Sequence, residues 1–157
     1  MKIGLLSDSH DNLPRLERAV RFFNRRKVAL VLHAGDFVAP FTVQKLNHLA
    51  MPWRGVFGNN DGEKKGLGKI SAAKIQEGPL RLILDNRKIT LVHDLNSINP
   101  HTEKAELIVF GHTHKPEIKK LEDRLLVNPG ECGGWLSNKA SVAIVDLEIL
   151  SAKVFTI

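Results

Sequence analysis

Cysteine is almost absent: Cys132 is the one thiol in 157 residues. The chain cannot close an internal disulfide, and a zinc site built on two or more thiolates is excluded. A stapled secreted scaffold falls with them, and a reducing cytoplasm is the expected compartment. No stretch approaches the roughly 18 uncharged apolar residues of a membrane-spanning helix. Only Ile3, Leu5 and Leu6 precede the polar Ser7-Asp8-Ser9-His10, so no membrane partner is expected. Also missing are an internal repeat, a dividing linker and any Lys/Arg run longer than Arg25-Arg26-Lys27. What remains is ordinary globular usage, 43% hydrophobic and 25% charged. At this length a single domain over residues 1–157 is expected. Lys and Arg number 23 against 17 Asp and Glu, a net charge of +6. Such a balance can draw an anionic substrate, but the basic residues are scattered. A nucleic-acid partner is therefore not favoured over solubility alone.

The apolar pattern reads as strands and helices in alternation. Lys2 to Leu6 is a short, largely apolar run expected to form a buried strand, and Asp11 or Asn12 caps a helix with Pro14 in its first turn. Leu13, Leu16, Val20 and Phe23 then mark one apolar face, with the helix ending near Lys27. A second run, Val28 to Leu32, precedes a helix expected over about 40–49, and Trp53 to Phe57 reads as a third strand. The Lys- and Gly-rich stretch from Glu63 to Lys69 reads as a loop. Leu80 to Leu84 and Lys88 to His93 flank the turn cluster Asp85-Asn86-Arg87, a hairpin signal, and Leu107 to Phe110 is the plainest buried strand. Turns are expected at Glu122-Asp123-Arg124 and Asn128-Pro129-Gly130. The pattern predicts two packed sheets sharing one core, with helices outside.

Five times an apolar run stops and a metal-ligand type follows: Asp8 with His10, Asp36, Asn59, His93, and His112 with His114. Each alone is unremarkable, since carboxylates and Asn after strands commonly cap or turn. The recurrence is the signal, because α/β sheets bind ligands beyond the carboxyl ends of their strands. Carboxylates, imidazoles and one amide carbonyl form a mixed nitrogen and oxygen set. Such a set suits Mn, Ni, Fe, Co or Zn better than Ca or Mg. Two divalent ions against Asp8 and Asp36 would leave roughly two positive charges, fitting a phosphate ester as substrate. His33 reads as a buried, hydrogen-bonded residue, Cys132 as a turn residue without a base, Asn12 as a cap, and Asp61 as a turn former or an orienting group.

Asp8-Ser9-His10, Gly35-Asp36, Gly58-Asn59-Asn60-Asp61, His93 and Gly111-His112-Thr113-His114 together resemble the ordered motifs of the calcineurin-like metallophosphoesterases, especially their small bacterial and archaeal phosphodiesterase branch. The resemblance covers residues from Ser7 to about Gly130. It implies an α/β fold, a four-layer αββα sandwich of two mixed sheets flanked by helices. It further implies two divalent transition metal ions, manganese foremost. One would be held by Asp8, His10, Asp36 and His114, the other by Asp36, Asn59, His93 and His112, with Asp36 bridging. The implied reaction is hydrolysis of a phosphate-ester small molecule by a hydroxide between the ions, with the same seven residues forming the catalytic set. Alternatives within the fold are a phosphomonoesterase and a noncatalytic scaffold like the retromer subunit that shares it. Self-association into a homo-oligomer is compatible with the resemblance. Two positions depart from the pattern. Asn60 stands where many superfamily phosphatases carry a histidine that acts on the leaving group, which favours diesters with good leaving groups. Asp94 stands where glycine commonly follows the single ligand histidine.

Overall fold

The computed structural model describes all residues from Met1 to Ile157. Strand β1 (Lys2–Leu6) runs into helix α1 (Leu13–Arg26), followed by β2 (Leu30–His33), α2 (Pro40–Leu46) and β3 (Trp53–Val56). Helix α3 (Lys64–Ile70) and the short β4 (Ile75–Gln76) complete the first half. The second half holds β5 (Leu80–Leu84), β6 (Arg87–Leu91), β7 (Leu107–Val109), β8 (Glu117–Leu121) and β9 (Arg124–Asn128). Strands β10 (Ser141–Asp146) and β11 (Ser151–Thr156) then return to the first sheet.

The first sheet has the order β11-β10-β1-β2-β3-β4, and the second β5-β6-β7-β9-β8. Both sheets are mixed: β1 through β4 run parallel, with antiparallel pairing only on the β10-β11 side, and β6, β7 and β9 run parallel between the antiparallel edge strands β5 and β8. The two mixed sheets press face to face through Ile3, Leu5, Leu32, Ile89, Leu107, Val109 and Val127 among others. Each fully buried aliphatic side chain of this layer contributes about 1.5–3 kcal/mol by leaving water. All three helices cover the outer face of the first sheet, where Leu16, Phe23, Val43, Leu46 and Leu67 meet Leu6, Val31 and Trp53. The outer face of the second sheet is covered by Val92, Leu95, Ile98 and Ala105, whose segment includes one 3-10 turn at Leu95–Ser97. That turn and its flanking chain make up the fourth layer.

Helix α1 forms as its sequence suggests. Asn12 Oδ1 accepts the Arg15 N–H at 3.4 Å, Pro14 sits in the first turn, and Lys27 closes the helix in the left-handed conformation. The stretch from Glu63 to Lys69, expected to be a loop, is instead helical, since α3 begins at Lys64 and runs through it to Ile70. Glycines at 66 and 68 weaken helical propensity, but Leu67 is fully buried against the core and draws the turn in. Helix α2 ends at Leu46 rather than Leu49, and β4 carries too few residues to show a strand period.

Candidate metal centre

The parallel strands of both sheets point their carboxyl ends to one edge of the molecule. There the loops are stitched together within each sheet, Asp8 N–H donating to the Gly35 carbonyl and Gly111 N–H to that of His93, and between the sheets, Gly133 N–H donating to the Asp8 carbonyl. All seven strand-end residues meet in this crevice. Asp36 Oδ2 lies 3.4 Å from His10 Nε2 and 3.6 Å from His93 Nε2, so one carboxylate oxygen stands between two imidazoles. On one side of it, Asp8 Oδ1 is 3.9 Å from His10 Nε2 and 3.6 Å from His114 Nε2. On the other, Asn59 Oδ1 is 2.7 Å from His93 Nε2 and 2.9 Å from His112 Nδ1.

This edge is held under strain. Asp8, His10, Asp36, His112 and His114 all adopt the left-handed backbone region, which costs non-glycine residues about 1–3 kcal/mol each. Close approach leaves no room for side chains nearby. A β-carbon on Gly58 would run into Asp36 Oδ1, and one on Gly111 into Ser7 Oγ.

A ring of buried groups fixes the loops. Asp61 accepts N–H bonds from Gly58 (2.7 Å), Val38 (2.7 Å) and Asp36 (3.1 Å), which ties the Asp36 loop to the Asn59 loop. Burial raises the Asp61 carboxyl from its ordinary value, against the lowering by the N–H groups of Gly58 and Val38. His33 is the hydrogen-bonded buried residue its position suggested. It faces Ser9 Oγ at 3.0 Å, accepts the Gly35 N–H through Nδ1 and stacks on Phe37, and burial holds it well below its ordinary value, in the neutral form. Cys132 is buried, its thiol pushed up to about 12 by burial, and it is no nucleophile. Asn12 caps α1 and also donates to the Gly133 carbonyl. Asp94 caps the 3-10 turn by accepting the Asn96 N–H at 2.9 Å.

Glu131 was not singled out by the sequence. Its carboxylate is buried 3.0 Å from His114 Nδ1 and also accepts the N–H groups of Trp135, Leu136 and Ser137. Burial pushes this carboxyl up, but the bonds from Ser137, His114 and Leu136 outweigh it and bring its pKa to about 2. A signal existed: Glu131 also follows the end of a parallel strand, β9. Asn60 enters the crevice as well, its backbone and side-chain N–H groups donating to the two oxygens of Asp36 at 2.8 and 2.7 Å.

The residues fit divalent ions on three observations. Asp8 Oδ1 and His10 Nε2 are buried without a hydrogen bond, an expensive state for lone pairs unless a cation takes them up. The Glu131 carboxylate holds His114 at Nδ1, so that Nε2 faces Asp8 as the atom available to a cation. His93 has oxygens at both ring nitrogens, Ala34 O at 2.8 Å from Nδ1 and Asn59 at Nε2, and a neutral ring has one N–H for the two. A cation at Nε2 reconciles them. Burial raises the Asp8 carboxyl, and a bound cation would offset that cost. Asp8, His10, Asp36 and His114 present ligand atoms all within 4.8 Å of one another. A cavity of about 790 Å³ lined by Arg81, Lys88, Ile98 and Glu103 lies on the second sheet and contains none of these groups.

Two face-to-face mixed sheets with candidate ligands gathered at their strand ends match a known architecture: the chain belongs to the calcineurin-like phosphoesterase superfamily, whose domain matches residues 1–149. Phosphodiesterase MJ0936 of Methanocaldococcus jannaschii is 34% identical over 156 residues, covering 94% of each chain. Among solved structures, a novel archaeal phosphodiesterase superposes over the whole of both chains with a TM-score of 0.93 at 30% identity. Vps29 of Entamoeba histolytica shares the fold, with a TM-score of 0.72 at 18% identity over 100% of this chain and 99% of that one.

Proposed function

We propose that this protein is a cytoplasmic phosphodiesterase that uses two divalent transition metal ions to hydrolyse a small phosphodiester. One observation carries the reading: Asp36 Oδ2 stands between His10 and His93, with a complete set of nitrogen and oxygen donors on either side. Asp8, His10, Asp36 and His114 would hold one ion, and Asp36, Asn59, His93 and His112 the other. Ions held by these residues would supply Lewis-acid binding of ester oxygens, a water of lowered pKa and stabilisation of an in-line displacement. Manganese is the first candidate, and nickel, iron, cobalt and zinc suit the same donors.

The chain's own groups favour a diester over a monoester. Position 60 offers an amide, engaged with Asp36, where a protonating imidazole would be needed to expel a poor leaving group. MJ0936 carries the name phosphodiesterase, which supports the same choice. The noncatalytic alternative draws on the fold likeness to Vps29. A full donor set with buried, unpartnered ligand atoms favours catalysis.

The test is hydrolysis of bis-p-nitrophenyl phosphate by chelator-stripped protein titrated with manganese, nickel or zinc salts, beside p-nitrophenyl phosphate. Metal should restore diester cleavage at a rate exceeding that of the monoester. Monoester rates equal to or above diester rates would make the protein a monoesterase. Two bound ions with no rate on either ester would make it a scaffold.

A further inference from the structure

The two tryptophans differ sharply in exposure. Trp53 is 3% exposed in the helix-covered core, whereas Trp135 is 61% exposed, in the loop after β9. The exposed indole is not loose. Its Nε1–H donates to the His10 carbonyl at 3.1 Å, and its backbone N–H donates at 3.1 Å to Glu131 Oε2, the oxygen that also faces His114 Nδ1 at 3.0 Å. Trp135 is thus braced to both outer histidines of one metal cluster, whose rings stack at 5.2 Å. Gly133 lets the loop pass close beneath, since a β-carbon there would crowd Ser9 O, Asp8 O and the Trp135 ring.

A rigid aromatic plane at the rim of a phosphoester site, with its polar edge tied down and its faces open, is suited to stack a base. We propose that Trp135 is the specificity wall of this site, receiving the nucleobase of a nucleotide diester while the phosphate lies at the metal centre. The proposal rests on the phosphodiesterase reading and names its substrate class.

The test compares two esters with one leaving group, thymidine 5′-(p-nitrophenyl phosphate) and methyl p-nitrophenyl phosphate. Trp135→Ala should lower the ratio of their kcat/KM values about tenfold, chiefly through KM for the thymidine ester, since stacking is largely independent of the chemical step. Trp135→Phe keeps a stacking face but loses the indole donor, and should retain most of the ratio. A second readout is free of turnover. Zinc-loaded protein should show quenching of its red-shifted indole emission by thymidine 5′-monophosphate and none by inorganic phosphate. The Trp135→Phe variant, left with buried Trp53, should show no quenching.

Equal losses on both esters, in Ala and Phe alike, would overturn the proposal and leave Trp135 as a brace for His10. A wild-type oligomer that dissociates in Trp135→Ala on sedimentation would overturn it as well, making the ring a contact between copies. If the wild type cleaves neither ester with any metal, the phosphodiesterase reading fails by itself. The emission then decides stacking alone: selective quenching by the nucleotide keeps it, and none refutes it.

Discussion

The two halves of the candidate centre solve one problem with different chemistry. Each has a histidine whose Nε2 faces the crevice and whose Nδ1 is fixed from behind. Behind His114 stands the Glu131 carboxylate, and behind His93 the neutral carbonyl of Ala34. A carboxylate makes the imidazole more basic than a peptide carbonyl does. The first half also contains Asp8, entirely buried, whereas the second has Asn59, an exposed neutral amide, and the exposed His112. Sharing Asp36, the halves thus present two carboxylates against one. The first ion should bind more tightly and the second exchange more freely, so that the second is the adaptable side of the centre.

The largest expected effect removes what the halves share. Asp36→Asn keeps the shape of the side chain but deletes its charge. Metal analysis should show depletion of both ions, and diester hydrolysis should fall about a thousandfold, the scale of losing one key electrostatic stabiliser. Loss of one ion alone would break the symmetry argument. His48, exposed after α2 and remote from these contacts, provides the control: His48→Ala should keep both ions and its rate.

Next in size is a change confined to one half. Glu131→Gln leaves an acceptor for His114 and for the loop N–H groups but removes the charge. Losses of about 10–100-fold in metal affinity are expected for such supporting partners. They should fall on the first ion, seen as one stoichiometric site weakened in a zinc titration. Weakening of both equally would mean that Glu131 acts through the fold.

A smaller effect tests the second half. Asn60→His places an imidazole where the amide now donates to Asp36 Oδ2. General acid help is worth about 10²–10⁴ when well placed, and an unadapted site should realise roughly tenfold of it. The gain should appear on esters with alkoxide leaving groups and be absent with p-nitrophenolate. A uniform change would show that residue 60 acts on Asp36 and not on the leaving group.

Much of this organisation is legible in the sequence, for a physical reason. Buried parallel strands read as short apolar runs, and the residues that stop them lie by construction at one edge. Asp8, His10, Asp36, Asn59, His93, His112 and His114 therefore converge even though they span more than a hundred positions. The same rule covers Glu131, but Asn128-Pro129-Gly130 ends that run with a turn signal that masks it, and the carboxylate's target lies 17 residues earlier. Helix α3 is illegible because its propensity is poor and a single buried leucine, Leu67, settles the matter in three dimensions. Asp61 is half legible: it is a turn residue whose three N–H bonds are apparent only when the loops are side by side.

The smallest expected effect separates two acids whose sequence positions mislead, one adjoining a candidate ligand histidine and the other 17 residues from one. Asp94 adjoins His93 directly, yet its carboxylate turns to the Asn96 N–H and caps the 3-10 turn, while Glu131 reaches His114 from a distant loop. Asp94→Ala should therefore cost about 0.5–1 kcal/mol of stability, the size of a lost cap, read as a shift in the chemical denaturation midpoint. Diester kcat/KM should stay within about twofold, because a capping carboxylate gives no support to a ligand imidazole. A fall of about 10–100-fold, with the second ion weakened, would instead give Asp94 the role that Glu131 has in the first half, and the two halves would then differ far less in charge.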